Sequence, residues 1–251
     1  MKQKILILSA ICMSYLITTQ AQTTPTPVMV KVEGGTFQMG DEQGLGDFDE
    51  QPVHTVTLKT FSIAKTETTV LQWKTFCSET GRQMPESPSW GWIDDHPIVN
   101  VSWDDASAYG AWLSGKTGKI YRLPTEAEWE FAARGGALSK GYKYSGGKSL
   151  DKVGWYEPNS NDQTQPTAKK RANELGLYDM SGNVWEWCMD WHGLYSAEAQ
   201  TNPKGAKTGP DRVIRGGGWY NTADGCRAAR RYYYEPSSRR TFMGFRLISP
   251  E

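Results

Sequence analysis

The chain never holds a helical or strand-like hydrophobic period for long before glycine, proline or asparagine interrupts it. Its 251 residues include 26 glycines, 13 prolines and 11 tryptophans. Short elements must therefore be joined by extensive turns, and large aromatic rings must anchor the core. No internal repeat, heptad or low-complexity run is present, which excludes solenoid and coiled-coil architectures. Short helical patterns scattered among short alternating segments point to an α+β fold.

The first residues read as an export signal. Lys2 and Lys4 precede a mostly apolar stretch from Ile5 to Ile17, and Thr19-Gln20-Ala21 suits a small-residue cleavage site. Residues 1–21 are thus expected to be a signal peptide, with no transmembrane span left after cleavage, and the mature chain to reach the periplasm, cell envelope or exterior. Cleavage would remove Lys2 and Lys4 from 28 basic residues, leaving 26 against 28 acidic ones. That balance gives no electrostatic case for nucleic acid. Residues 22–28 form a Pro/Thr linker, and 29–251 suffice for one domain.

Within that domain, Val30–Val32, Thr36–Met39 and Val53–Leu58 alternate as strands, and the acidic segment 41–51 reads as a solvated loop. Val70, Trp73, Phe76 and Cys77 recur at helical spacing up to Gly81. Ser102 with Asp105, and Thr125 with Glu128, are capping-box pairs that open two further helices, expected to end before Gly115 and at Gly135-Gly136. Residues 137–172 are polar and loop-like.

Three motifs carry a family resemblance: Arg122-Leu-Pro-Thr-Glu-Ala-Glu-Trp-Glu130, Gly182-Asn-Val-Trp-Glu-Trp187, and Arg215-Gly-Gly-Gly-Trp-Tyr-Asn221 with Cys226-Arg227 and Gly244-Phe-Arg246. The chain resembles the formylglycine-generating-enzyme, or sulfatase-modifying-factor, domain from about Val30 to Leu247. The resemblance implies a C-type-lectin-like fold, loop-rich with little regular structure. It also implies that active members bind copper through two cysteines, of which Asn221 occupies the first position and Cys226 the second. Gly218 stands in place of those members' serine. A carboxamide is a hard, neutral ligand poorly suited to copper(I), so copper is not expected and the chain is read as a non-oxidase. The alternative reading is an active formylglycine-generating oxidase acting on a sulfatase cysteine.

By the same resemblance, calcium would be held by Asp179, the carbonyls of Gly182 and Val184, and Glu186, a set of hard oxygens that suits that ion. The other reading of Asp179 and Glu186 is a hydrogen-bonded brace. The resemblance's second calcium site falls on Lys152 and Val153, where a lysine would repel the ion. Cys226 is the only candidate catalytic residue, activated by Arg227 and Arg230, or else a buried structural thiol. Cys188 and Cys226 either pair or stay as free thiols. His54, His96 and His192 lie too far apart in sequence for a zinc motif.

The terminal segment interleaves arginine with rigid aromatic rings, the side chains that recognition surfaces favour. The candidate ligand-binding surface comprises Trp219, Tyr220, Asn221, Thr222, Asp224, Arg227, Tyr232, Tyr233 and Arg239. Arg215, Arg227, Arg246 and Trp219 also belong to the family signature and are expected to brace the core. An envelope or extracellular protein, a peptide or a glycan is the expected partner. A structural envelope protein without a specific ligand is the remaining alternative.

Overall fold

A computed structural model describes residues 25–44 and 46–251. The expected signal peptide and Leu45 lie outside them. Residues 25–28 of the expected linker carry no regular structure. In chain order the elements are β1 (Met29–Val32), β2 (Gly35–Met39), β3 (His54–Leu58), β4 (Phe61–Ala64), α1 (Val70–Thr80), α2 (Trp103–Thr117), α3 (Glu126–Ala133) and α4 (Leu150–Val153). They continue with β5 (Trp185–Trp191), β6 (Gln200–Thr201), β7 (Arg212–Arg215), β8 (Arg231–Tyr234), β9 (Met243–Gly244) and β10 (Ile248–Pro250). The strands form three small sheets, ordered β1-β4-β10, β2-β3-β6 and β8-β7-β5-β9.

Local chemistry sets the helices. Thr69, Ser102 and Thr125 each accept a hydrogen bond from the third helical backbone N–H, and the side chains of Gln72, Asp105 and Glu128 return the bond to the cap residue. Gly81 and Gly118 close α1 and α2 in the left-handed conformation. α2 therefore runs past Gly115, whose position is open on all sides and tolerates the helix, and stops where Gly118 takes a φ of 72°.

Aromatic rings fill the core as expected. Trp73 and Phe76 of α1, Tyr109 of α2 and Phe245 meet with ring centroids 5.0–5.9 Å apart. A second cluster packs Trp129 and Phe131 of α3 against Phe61 and Ile63 of β4. Between the clusters run buried ion pairs. Arg215 donates to Glu126 at 2.8 Å and to Glu130 at 2.5 Å, Arg231 clasps Glu126, and Arg246 grips both oxygens of Glu186 at 2.7 Å. Glu126 and Glu130 sit one turn apart, so α3 turns both carboxylates inward toward β7.

The acidic segment is not the solvated loop its composition suggests. Asp41, Asp49 and Glu50 are buried, and Glu50 receives a two-pronged bond from Arg227 at 2.6 and 2.7 Å. Charge that looks soluble in sequence is here neutralised by partners far along the chain.

Candidate functional site: a closed thiol pocket beside an aromatic surface

The signature segment leaves β7 through Gly216 and Gly217, with φ of 99° and 75°. A Cβ at Gly217 would stand 2.6 Å from the Gly225 carbonyl and 2.7 Å from the Cys226 sulfur, so only glycine lets the loop fold back on itself. Asn221 then closes the turn. Its N–H donates to the Gly218 carbonyl at 3.0 Å. Its Oδ1 accepts from the Gly218 N–H at 2.9 Å and from Trp185 Nε1 at 2.8 Å. The Asn221 backbone carbonyl takes the Glu157 N–H at 3.0 Å. Asn221 is thus a structural clasp, and its side-chain oxygen is already engaged.

Cys226 lies beneath that turn, fully buried against Tyr144, Leu150 and Val153. Burial pushes its thiol up to about 12, against the opposing hydrogen bond to the Gly218 backbone. The expected activation by Arg227 and Arg230 fails because both guanidinium groups point elsewhere. Arg227 is bound to Glu50, and Arg230 pairs with Asp47. A protonated, enclosed thiol is a poor nucleophile. Cys77, Cys188 and Cys226 are all free, and Cys188 packs in a different core cluster from Cys226, so those two do not pair.

Outside the turn, aromatic rings run in contact across the surface. From Trp90 the chain of rings passes to Trp219 (5.5 Å), Tyr220 (5.6 Å), Phe242 (4.5 Å), Tyr234 (6.1 Å), Tyr232 (5.6 Å), Tyr233 (5.4 Å) and His192 (4.0 Å). Tyr220, Tyr232 and Tyr233 are exposed by 39–42%. Thr222, Asp224 and Arg239 are exposed too, with Asp224 paired to Lys143 at 2.9 Å and Arg239 paired to Asp105. Arg227, expected on this surface, is instead buried by its pairing with Glu50. Trp219 is half-buried and donates Nε1–H to the Thr241 carbonyl at 3.0 Å, so it both braces the loop and carries the ring path. Sequence reading did not reach Trp90 and His192, because each joins the path from a distant loop.

The candidate calcium ligands are arranged unevenly. Asp179, held at a φ of 58°, accepts the Ala168 N–H on Oδ2 at 2.8 Å, while its buried Oδ1 has no partner among the described residues. Glu67, which sequence reading missed, likewise leaves a buried Oε1 without a partner and binds Asn183 through Oε2. Burial raises both carboxyls, Asp179 to about 6, and Asp179 together with Glu186 pushes Glu67 well above its usual range. These orphaned oxygens suit a hard cation. Glu186 fits less well, since Arg246 takes both its oxygens and Trp129 Nε1 adds a bond at 2.8 Å. Among the described residues no three His, Cys, Asp or Glu side chains converge as a metal cluster.

Comparison with known proteins places these features in a family. A model described as "Sulfatase-modifying factor enzyme 1-like domain" matches residues 14–250. The chain is 34% identical to the formylglycine-generating enzyme of Streptomyces coelicolor, across 91% of each. The chain belongs to the sulfatase-modifying factor enzyme family. It is also 33% identical to the serine/threonine-protein kinase pkn1 of Chlamydia caviae over 97% of its own length, but it spans only 42% of that relative. In structure it superposes on Treponema denticola variable protein 1 with a TM-score of 0.78 and 30% identity, covering 89% of this chain and 95% of the other. The lectin-like family fold expected from the motifs is the fold observed.

One consequence for pH follows from Asp190, at the end of β5. Burial, then the neighbouring charges of Glu126 and Glu128, push its carboxyl from about 3.8 up to about 8, with the Glu126 N–H and Arg231 opposing. A carboxyl raised in the folded state stabilises that state below its unfolded value, and the benefit is lost as pH climbs from about 4 through about 8. Asp190→Asn keeps an acceptor for the Glu126 N–H and cannot ionise. Thermal melts should match the parent near pH 3.5, and the variant's advantage should grow from pH 4 to its largest value at pH 8.5. A variant that is less stable at pH 8.5 would contradict this.

Proposed function

We propose that this chain is an exported, non-oxidase member of the family that binds an envelope or extracellular protein, peptide or glycan through the exposed ring path around Tyr220, Tyr232 and Tyr233. One observation carries the reading: the first copper position is an asparagine whose Oδ1 is spent holding Trp185 and the Gly218 N–H. The second is a thiol sealed under the same turn. Just outside lies an aromatic surface whose rings are partly immobilised by one another, so binding would order few additional side chains. Flat rings present area to sugar faces and to proline or aromatic side chains alike.

Calcium belongs to this reading as a structural ion near Asp179, with the Gly182 and Val184 carbonyls. The unpartnered oxygens of Asp179 and Glu67 support it. Calcium titration by calorimetry should show one site that Asp179→Ala abolishes, and heat unchanged by that substitution would argue against it.

Two assays test the function. Purified protein supplied with copper(I), oxygen and a Cys-X-Pro-X-Arg peptide should yield no aldehyde by mass spectrometry. Glycan and peptide arrays should give saturable hits that fall at least tenfold in Tyr220→Ala and Tyr233→Ala, about 1.4 kcal/mol each. Aldehyde turnover would restore the oxidase reading, and hits indifferent to both substitutions would remove the binding surface.

A further inference from the structure

A second site lies away from the ring path. The first turn of α3, the end of β5 and the 193–206 loop enclose a cavity of about 160 Å³. Leu194 lines it while 74% exposed, so the cavity reaches the surface. Most charge on its walls is already matched. Glu126 receives Arg231 at 2.7 and 2.8 Å, Arg215 at 2.8 Å and the Tyr195 hydroxyl at 3.1 Å. Arg231 gives both Nη1 hydrogens to the carbonyls of Asp49 and Gly193, so four of its five N–H donors are committed.

Asp190 is different. It is 3% exposed and lines the cavity, and Oδ2 takes the Glu126 N–H at 2.8 Å. Its Oδ1 takes no hydrogen bond among the described residues. His54, on the same wall, lies 3.0 Å from the Pro52 carbonyl through Nδ1. A carbonyl only accepts, so Nδ1 carries a proton toward it, and in that tautomer Nε2 is an acceptor. The wall thus offers these acceptors beside the polar side chains of Ser196 and Gln200 and the apolar side chains of Met39 and Ala127.

We infer that this cavity binds a primary alkylammonium group, with Asp190 as its anionic anchor. An ammonium brings three donors and a compact charge, and its alkyl stem suits the apolar wall. The volume admits a lysine-sized tail and excludes drug-sized ligands. The site is independent of the aromatic surface, so either proposal can fail alone.

The test titrates the full chain at pH 8.5, where an alkylamine with a pKa of about 10 remains protonated. n-Butylammonium should quench tryptophan fluorescence saturably, with Kd on the order of 1 mM, because Trp191 lines the cavity. n-Butanol, equal in length and uncharged, should give no saturation. Asp190→Asn should weaken the amine at least tenfold. Should that variant not fold, the comparison of amine with alcohol on the parent still decides. Nα-acetyl-lysine amide distinguishes the sources: tighter binding than butylammonium assigns the site to a protein lysine, weaker binding to a free amine. Equal binding of alcohol and amine, an unsaturating response, or an unaffected Asp190→Asn variant would each overturn the inference, leaving a water-filled cavity.

Discussion

Arg246→Met is expected to destabilise the fold by about 3–5 kcal/mol, lowering the melting temperature by roughly 6–20 °C. The guanidinium is fully buried and holds both oxygens of Glu186, while its other donors reach the carbonyls of Ala64, Lys65 and Tyr178. Methionine fills much of the volume but leaves the Glu186 carboxylate facing Glu67 and Asp179 with only the Trp129 N–H for relief. Most of the loss is thus the penalty of a stranded charge rather than the value of the pair. Adding Glu186→Gln removes that charge and keeps an acceptor for Trp129, so the double variant should recover about half the loss. Urea melts of the single and double variants give the coupling directly. If the two losses simply add, the stranded-charge account is wrong.

That buried pairing also marks where sequence reading stopped. α1, α2 and α3 were legible because their determinants are local: Thr125 and Glu128, or Ser102 and Asp105, meet within one turn. α4 was not, because it is four residues inside a stretch that reads as loop. Aromatic anchoring was legible from composition alone. β4 was not foreseen, being four residues whose strand character comes from β1 on one side and β10 on the other. Glu50 was misread as solvated because its partner, Arg227, is 177 residues away. The three buried signature arginines, Arg215, Arg227 and Arg246, were expected as braces without their carboxylates being named. Pairing of that kind depends on topology, which no local pattern encodes.

The candidate site divided in the same way. The missing cysteine predicted a changed pocket. Asn221 as a clasp, with its oxygen shared between Trp185 and the Gly218 N–H, emerged only from geometry. So did the ring path, because Trp90, Phe242 and His192 arrive from three separate segments. The Asn221 carboxamide, standing where the resemblance places a soft donor, thus has a structural role of its own. It fixes a loop that holds neighbouring aromatics in place.

Restoring that donor should reverse the change: Asn221→Cys combined with Gly218→Ser is expected to gain one tightly held copper(I) ion where the parent takes none. Position 218 has room, since a Cβ there meets its neighbours at 3.4–3.5 Å, ordinary contact distances. The Asn221 Cβ already stands 3.0 Å from where a Gly225 Cβ would lie, next to Cys226, so a thiol at 221 belongs to the same turn. Two soft thiolates suit the cuprous ion, and coordination would replace the proton that burial now holds on Cys226. Without copper the variant should be less stable by about 1–3 kcal/mol, because Trp185 Nε1 and the Gly218 N–H lose their acceptor. Copper should more than return that loss, in proportion to the logarithm of its concentration over Kd. Competition against a chromogenic copper(I) chelator, with melts in and out of copper, reads both effects. A parent that competes as well as the variant would show that one thiol suffices, and the non-oxidase reading would go with it.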